Sequence, residues 1–365
     1  MKINREELIE DLAPKKIVVC APSALGDMVV AIPVCTALRT KYPDAHITFL
    51  SNNPSCEEVL KGHPDIDRVY RTSNFRSRSF FVRWIEIFKT AKKLRGMNLA
   101  IILYRDGSSK VCKSQLICCF LARIRVRLGY LSKNKYLCKV FMTHLIDPNP
   151  NEKQIPDVEK HQCLLAPIGV TYFEQCPILL VSEEEVVSAR NFLLKKGVPK
   201  EAEIVVFSPL CSHGTARHWG VERFRELADK IQKENPALFI VVIGNKTHRG
   251  VIEKAFDGQG YQVINLAGET TIREMMGIVK LSKCVIAIDS GPMHIAAALQ
   301  VPLVAIFGSS SNVEMRPYRW GSVVKHVVGC SPCYQKHCPI DHRCMKGVSV
   351  DMVYQAFKEE EAKRG

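Results

Sequence analysis

One stretch limits the folds open to this chain more than any other: residues 284–308, CVIAIDSGPMHIAAALQVPLVAIFG. Residues 285–288 and 303–307 are short apolar runs rich in β-branched side chains, and residues 293–299 between them have the small-residue pattern of a helix. Two such runs around a helix make a βαβ unit, whose parallel strands must be covered on both faces. Pro292 falls in the first helical turn, where a missing N–H costs nothing. The free N–H groups and positive dipole end of that turn form a seat for an anion. Ala296, Ala297 and Ala298 let the helix lie close to the sheet. The expectation is a negatively charged ligand at residues 290–294.

The same alternation runs through the whole chain. Strands are expected at 17–20, 46–50, 68–70, 99–104 and 126–128, then at 204–207, 239–243, 262–265, 284–288 and 303–307. Helices fall between them, at 27–40, 54–61, 78–95 and 108–120, then at 183–195, 221–234, 249–256 and 272–281. Alternating β and α elements predict an α/β fold of doubly wound parallel sheets. At 365 residues the chain is too long for one ordinary core, so two domains are expected. The reading is an N-terminal Rossmann-like domain over 1–178, a second over 179–348, and a terminal helix over 349–365. Residues 1–15 read as a flexible arm, and the polar, Pro-rich residues 147–157 as a linker or a mobile loop. Two facing α/β domains would place a ligand cleft between the carboxyl ends of their sheets.

Composition excludes several classes. A hydrophobic share of 47% with 24% charged residues is that of a soluble globular protein, and no apolar run approaches the roughly 20 residues of a spanning helix. The N-terminus lacks the apolar core of a secretory signal. Fifteen cysteines, many inside apparent strands and helices, fit a reduced cytoplasmic protein better than a disulfide scaffold. The net charge of +14 is uneven, since residues 1–150 hold 25 Lys and Arg against 13 Asp and Glu. Residues 78–95 are amphipathic, with Phe81, Trp84, Ile85, Phe88 and Leu94 at helical spacing. Arg76, Arg78, Arg83, Lys89 and Arg95, with Phe80, Phe81 and Trp84, form either a docking face for an anionic membrane or phosphorylated acceptor, or a helix with core aromatics and solvated cations. No nucleic-acid recognition motif accompanies the charge.

Three constellations could carry chemistry. In APSALGDMVV there is one glycine rather than the three of a dinucleotide fingerprint, and strand two ends in Ser51-Asn52 without an acid for a ribose. Asp27 there is either a helix N-cap or a general base at the carboxyl end of strand one. The loop SPLCSHGTARHWGVERF offers Ser208, Ser212, His213, Thr215, Arg217 and His218 just before a helix. That set suits phosphate oxygens, or is simply a polar loop with Trp219 as a packing anchor. The third is Asp289 to His294 itself. A cysteine-rich tail follows, with Cys330, Cys333, Cys338 and Cys344 spaced C-x2-C-x4-C-x5-C. It could ligate a structural zinc or an iron–sulfur cluster, or hold packed thiols.

These residues resemble a known family. ALGDMVVAIPVCTALRTKYPDAHITFL is similar to the opening strand, GD loop and first helix of glycosyltransferase family 9, the heptosyltransferases of the lipopolysaccharide inner core. TARHWGVERFRELADKI is similar to that family's basic-residue-then-Trp loop, and residues 264–308 resemble its long C-terminal block. The resemblance implies a GT-B fold, an inverting mechanism, an ADP-heptose donor and no catalytic metal. It implies as acceptor Kdo–lipid A or a heptosylated core, met by a cytoplasmic enzyme peripherally associated with the inner membrane. Asp27 matches the proposed catalytic base. Arg217 stands where the family commonly has Lys. Ser212 and His213 fall at hydroxyl-bearing phosphate contacts, from which His213 departs, and Asp289, Ser290, Gly291 and His294 match the donor-binding run. Asn245 and Lys246 lie near the ribose-binding acid but supply no carboxylate. A family 9-like transferase with another nucleotide sugar and a non-catalytic nucleotide-sugar-binding protein are the other readings.

Overall fold

The structure is a computed structural model that describes residues 9, 12–103, 110–130, 135–146, 155–170, 176–257 and 262–363. Most of the expected N-terminal arm and of the 147–157 linker lies outside the described residues. The chain divides into two compact units, Met1–Pro177 and Ile178–Gly365.

In the first unit the order is β1 (Lys16–Cys20), α1 (Leu25–Val30), α2 (Ile32–Lys41), β2 (His46–Ser51), α3 (Cys56–Val59), β3 (Arg68–Arg71) and α4 (Phe80–Lys93). It continues with β4 (Leu99–Ile102), α5 (Lys110–Leu121), β5 (Val126–Tyr130), α6 (Lys135–Phe141), β6 (His144–Ile146) and α7 (Asp157–Cys163). The six strands form one parallel sheet in the order β3-β2-β1-β4-β5-β6. The central strands are apolar throughout because helices cover both faces, and Val18, Leu50, Ala100 and Ile102 enter a core with Ile87, Leu94 and Leu116. The helix expected over 27–40 is two helices. Pro33 has no N–H for the Val29 carbonyl four residues back, so the ladder is interrupted there, with Ala31 between the two helices. Strand β6 escapes a sequence reading because it is three residues long with only Leu145 buried.

The second unit holds α8 (Glu183–Lys195), β7 (Ile204–Ser208), α9 (Val221–Glu234), β8 (Phe239–Val242), α10 (Arg249–Phe256), β9 (Val263–Asn265) and α11 (Ile272–Leu281). Then come β10 (Cys284–Ile288), α12 (Gly291–Ala298), β11 (Leu303–Phe307), β12 (Ser322–Lys325), α13 (Arg343–Lys346) and α14 (Val350–Ala362). Its parallel sheet runs β12-β11-β10-β7-β8-β9. Counted from its own first strand, that is the same order as in the first unit. In each sheet the order reverses beside the first strand, between β1 and β4 and between β7 and β10, and loops at such a switch point are where α/β sheets bind ligands. Helices α8 and α11 both open with a capping box, Ser182–Glu185 and Thr271–Glu274. They press together at Gly277, where a Cβ would sit 2.8 Å from that of Ala189. The terminal helix α14 sends Val353, Tyr354 and Phe357 into the core of this unit beside Phe224 and Leu227.

Candidate functional site

Two loops of the second unit leave the strands that flank its switch point, and one ion pair joins them. Arg217, on the loop after β7, brings Nη1 to 3.1 Å from Oδ2 of Asp289, at the end of β10, and lies 3.5 Å from that residue's carbonyl oxygen. The Asp289 side chain is almost fully buried while Arg217 keeps about a quarter of its side-chain surface exposed (4% against 23%). The carboxylate therefore holds the arginine from behind and leaves part of the fork open. A carboxylate repels phosphate, so Asp289 is suited to position Arg217 rather than to touch an anion itself.

Helix α12 starts one residue beyond Ser290, whose hydroxyl donates to the Ile288 carbonyl at 3.0 Å and does not cap the helix. The first N–H groups of α12 thus have no side-chain cap. Ser290 and His294 are buried, and Gly291 is half-buried at the helix start. Further hydroxyls flank this turn. Ser208 ends β7, and Ser309 and Ser310 follow β11, the two neighbours of β10 in the sheet. All three hydroxyl oxygens are buried without a hydrogen-bond partner among the described residues. Only Ser208 was singled out from the sequence, although the run Ser309-Ser310-Ser311 directly after a buried strand was the available signal.

The other candidate residues of this unit lie on the loops after β7 and β8. Asn245 donates to the Ser212 hydroxyl at 2.9 Å and accepts from the Thr247 N–H and hydroxyl, so the loops after β7 and β8 are tied together. Lys246 is exposed and packs its backbone against Gly268, where a Cβ would come within 2.6 Å. His213 is exposed, and partial desolvation followed by the charges of Arg217 and Lys336 hold its pKa below the usual value. It is therefore disposed to stay neutral at physiological pH. Trp219 is buried, donates to the Val348 carbonyl at 2.8 Å and packs edge-on against Phe224.

The cysteine-rich tail buttresses this loop. Lys336 accepts from the Ala216 N–H at 3.0 Å, Thr215 pairs with His337 at 3.0 Å, and His342 lies 2.9 Å from the Ala216 carbonyl oxygen. Gly214 has φ +96° and passes so close to the tail that a Cβ would stand 2.2 Å from the Lys336 carbonyl oxygen. Cys330 is exposed, Cys333 and Cys338 are half-buried, and Cys344 is buried, its thiol pKa raised by burial and then by the neighbouring thiols. Among the described residues no three or more Cys, His, Asp or Glu side chains are arranged to hold a metal ion.

In the first unit Asp27 is half-buried in the first turn of α1. The N-cap of α1 is Ala24, so the reading of Asp27 as the cap is not what the fold uses. The preceding loop is fixed from the end of β2, with Ser51 donating to the Pro22 carbonyl at 3.0 Å and Asn53 to that of Ser23 at 2.8 Å. Asp27 thus sits on a braced turn beside the switch point of its sheet.

Helix α4 turns its aromatic stripe outward. Phe81 is 78% exposed, Phe80, Ile85 and Phe88 more than half exposed, while Ile87, Thr90, Ala91 and Leu94 face the core. Phe80, Trp84 and Phe88 stack in sequence with centroids 5.8 and 5.7 Å apart. Arg76, Arg78 and Lys89 are exposed beside it, and Arg83 lies over the Phe80 ring at 6.0 Å. Arg95 is past the helix end, in a different cluster. Among the described residues no helix is long and apolar enough to cross a membrane.

The chain is similar to known proteins of one family. Residues 87–343 match glycosyltransferase family 9 (heptosyltransferase). The chain is 26% identical to lipopolysaccharide heptosyltransferase 3 of Escherichia coli (strain K12) over 80% of its own length and 82% of that protein. A crystal structure of a family 9 glycosyl transferase from Veillonella parvula superposes with a TM-score of 0.80 at 18% identity, covering 99% of this chain and 100% of that one. The E. coli ADP-heptose lps heptosyltransferase II superposes with a TM-score of 0.74 at 22% identity, over 96% and 99%. Its sheets and those of this chain share the GT-B plan of two Rossmann-like units.

Proposed function

This chain belongs to glycosyltransferase family 9, and from that premise we propose that it transfers a heptose from ADP-heptose to the inner core of lipopolysaccharide. The observation that carries the donor half is the Arg217–Asp289 pair beside the uncapped start of α12. Arg217 and the α12 N–H groups, with the hydroxyls of Ser212, Ser309 and Ser310 around them, oppose the charge that grows on ADP as it leaves. Asn245 and Lys246 border the nucleoside end, and His213 and His294 line the diphosphate. Asp27 takes the proton from the acceptor hydroxyl as its oxygen attacks the anomeric carbon on the face opposite ADP. The new C–O bond forms as the bond to the diphosphate oxygen breaks, so a single displacement inverts the configuration.

The test is ADP release by the purified protein from ADP-heptose, with Kdo–lipid A or a heptosylated core as acceptor. ADP release that depends on the acceptor is expected. Activity with a UDP- or GDP-sugar and none with ADP-heptose would overturn the donor assignment.

The acceptor is a phosphorylated glycolipid, and on this reading the enzyme meets it at the cytoplasmic face of the inner membrane. The outward aromatic stripe of α4, bordered by Arg76, Arg78, Arg83 and Lys89, suits the interface of an anionic bilayer, where rings enter the headgroup layer and cations meet its phosphates. Replacing Phe81 and Phe88 by Ser removes rings that the fold does not bury, so the melting temperature should hold. Binding to phosphatidylglycerol vesicles should fall about tenfold or more, from the roughly 1.5–3 kcal/mol of a buried Phe. Unchanged vesicle binding would sink the assignment.

A further inference from the structure

The first unit has a second cationic cluster, at the end of the sheet opposite Asp27. Lys16 opens β1 and Arg68 opens β3, and the strand register sets Val18 and Arg68 on either side of Thr48 in β2. Side chains alternate along a strand, so Lys16, Thr48, Arg68 and Tyr70 share the face that Val18 and Leu50 present to the core further along. Where that core ends, the chain leaving α4 passes over the sheet and places Lys93 and Arg95 above it. The result is a cavity of about 320 Å³ lined by these six residues and their neighbours.

Two features of the cavity suit a ligand. Lys16, Arg68, Lys93 and Arg95 are exposed cations, and none pairs with a carboxylate among the described residues. The nearby Asp67 is engaged instead by Arg39 at 2.6 Å and by the Ile47 N–H. Lys93 reaches only the face of Tyr70, at 4.3 Å. The second feature is the Thr48 hydroxyl, 98% buried as a residue and without a hydrogen-bond partner. A buried hydroxyl left unpaired is unfavourable, so such a group calls for an occupant that supplies the bond. The carboxyl end of α4 contributes only about half a negative charge here, far less than four cations.

We propose that this cavity binds a phosphoryl group carried on a larger molecule, at a site separate from the transfer centre. The cations would take the phosphate oxygens, the Thr48 hydroxyl would donate to one of them, and the volume beyond a bare phosphate leaves room for a sugar or glycerol. Asp27 follows the carboxyl end of β1, and the five residues of that strand span about 13 Å, so a ligand here cannot be the acceptor hydroxyl. A phosphorylated sugar and a phospholipid head group share this chemistry.

The experiment is a calorimetric titration of the full chain with three probes: inorganic phosphate, glucose 6-phosphate, and dihexanoyl phosphatidylglycerol below its micelle concentration. Each is run on the unaltered protein, Arg68→Gln/Lys93→Gln, Thr48→Val and Arg217→Gln. Binding of glucose 6-phosphate or the short-chain lipid should weaken tenfold or more in Arg68→Gln/Lys93→Gln and hold in Arg217→Gln. Preference for the sugar phosphate or for the lipid names the source. Thr48→Val removes the unmet hydroxyl at nearly constant shape, so it should keep or raise the melting temperature while weakening the probe. No binding of any probe, or binding lost in Arg217→Gln and kept in Arg68→Gln/Lys93→Gln, would overturn the proposal. So would equal affinity in Thr48→Val and the unaltered chain.

Discussion

Arg217 offers a planar, permanently charged fork, and Asp289 occupies one side of it. If the open side meets the donor diphosphate, Arg217→Gln should lower ADP affinity and turnover together. The loss should be roughly 10- to 100-fold, the worth of one charged hydrogen bond of about 1.5–3 kcal/mol. Arg217→Lys keeps the charge and loses the fork, so it should recover most of the affinity; titration of ADP against both variants separates charge from geometry. Asp27→Ala is expected to cut turnover by roughly 10²–10⁴, the usual contribution of a positioned base, while ADP affinity stays as it was. Near-normal turnover would leave Asp27 as a first-turn carboxylate of α1 and nothing more. Neither role could be assigned from spacing alone. Asp27 sits where an N-cap would be sought, and only the backbone places Ala24 there. Arg217 and Asp289 are 72 positions apart, and no local pattern announces their contact.

At the scale of elements, legibility followed burial and length. Helix α9 is read correctly from its apolar spacing because Phe224, Leu227, Ala228 and Ile231 all face one core. Helix α4 has an equally clear stripe, and its periodicity could not say whether the stripe faces core or solvent. The core takes Ile87, Thr90, Ala91 and Leu94 with one side of Trp84, leaving Phe80, Phe81 and Phe88 outside. The tail is a further case, since its Lys336, His337 and His342 meet Thr215 and Ala216 of the loop after β7, contacts that the cysteine spacing does not announce. Gly214→Ala would put a methyl group into the Lys336 carbonyl and force a left-handed backbone at φ +96° on alanine. A loss of about 1–3 kcal/mol is expected from that strain, seen as a lower melting temperature, with weaker ADP binding because the Arg217 loop is displaced. A melting curve and ADP affinity equal to those of the unaltered protein would show that the tail does not brace the loop.

At the scale of the molecule, pH dependence follows from histidines that the fold keeps neutral. His218 is held below its usual pKa by burial, and His248 by burial and then by His218. The unfolded chain therefore binds protons that the folded chain refuses, so stability is greatest above about pH 6.5 and declines as pH falls below that value. The melting temperature should drop between about pH 7 and pH 5, and His248→Gln should flatten the slope; a slope of the opposite sign would contradict the burial argument. The two alternating β/α series were legible in the amino-acid order alone, because fully buried parallel strands must be written as continuous apolar runs between amphipathic helices. The turn that opens α12 at residues 290–294 was equally legible, since proline, glycine and a helix start are local instructions. It took the folded chain to reveal which charge stands behind Arg217, which face of α4 meets water, and that Lys16, Arg68, Lys93 and Arg95 line one cavity. Those depend on sheet order and register, which bring distant residues within a few ångströms, and periodicity along a single strand or helix carries no record of its neighbours.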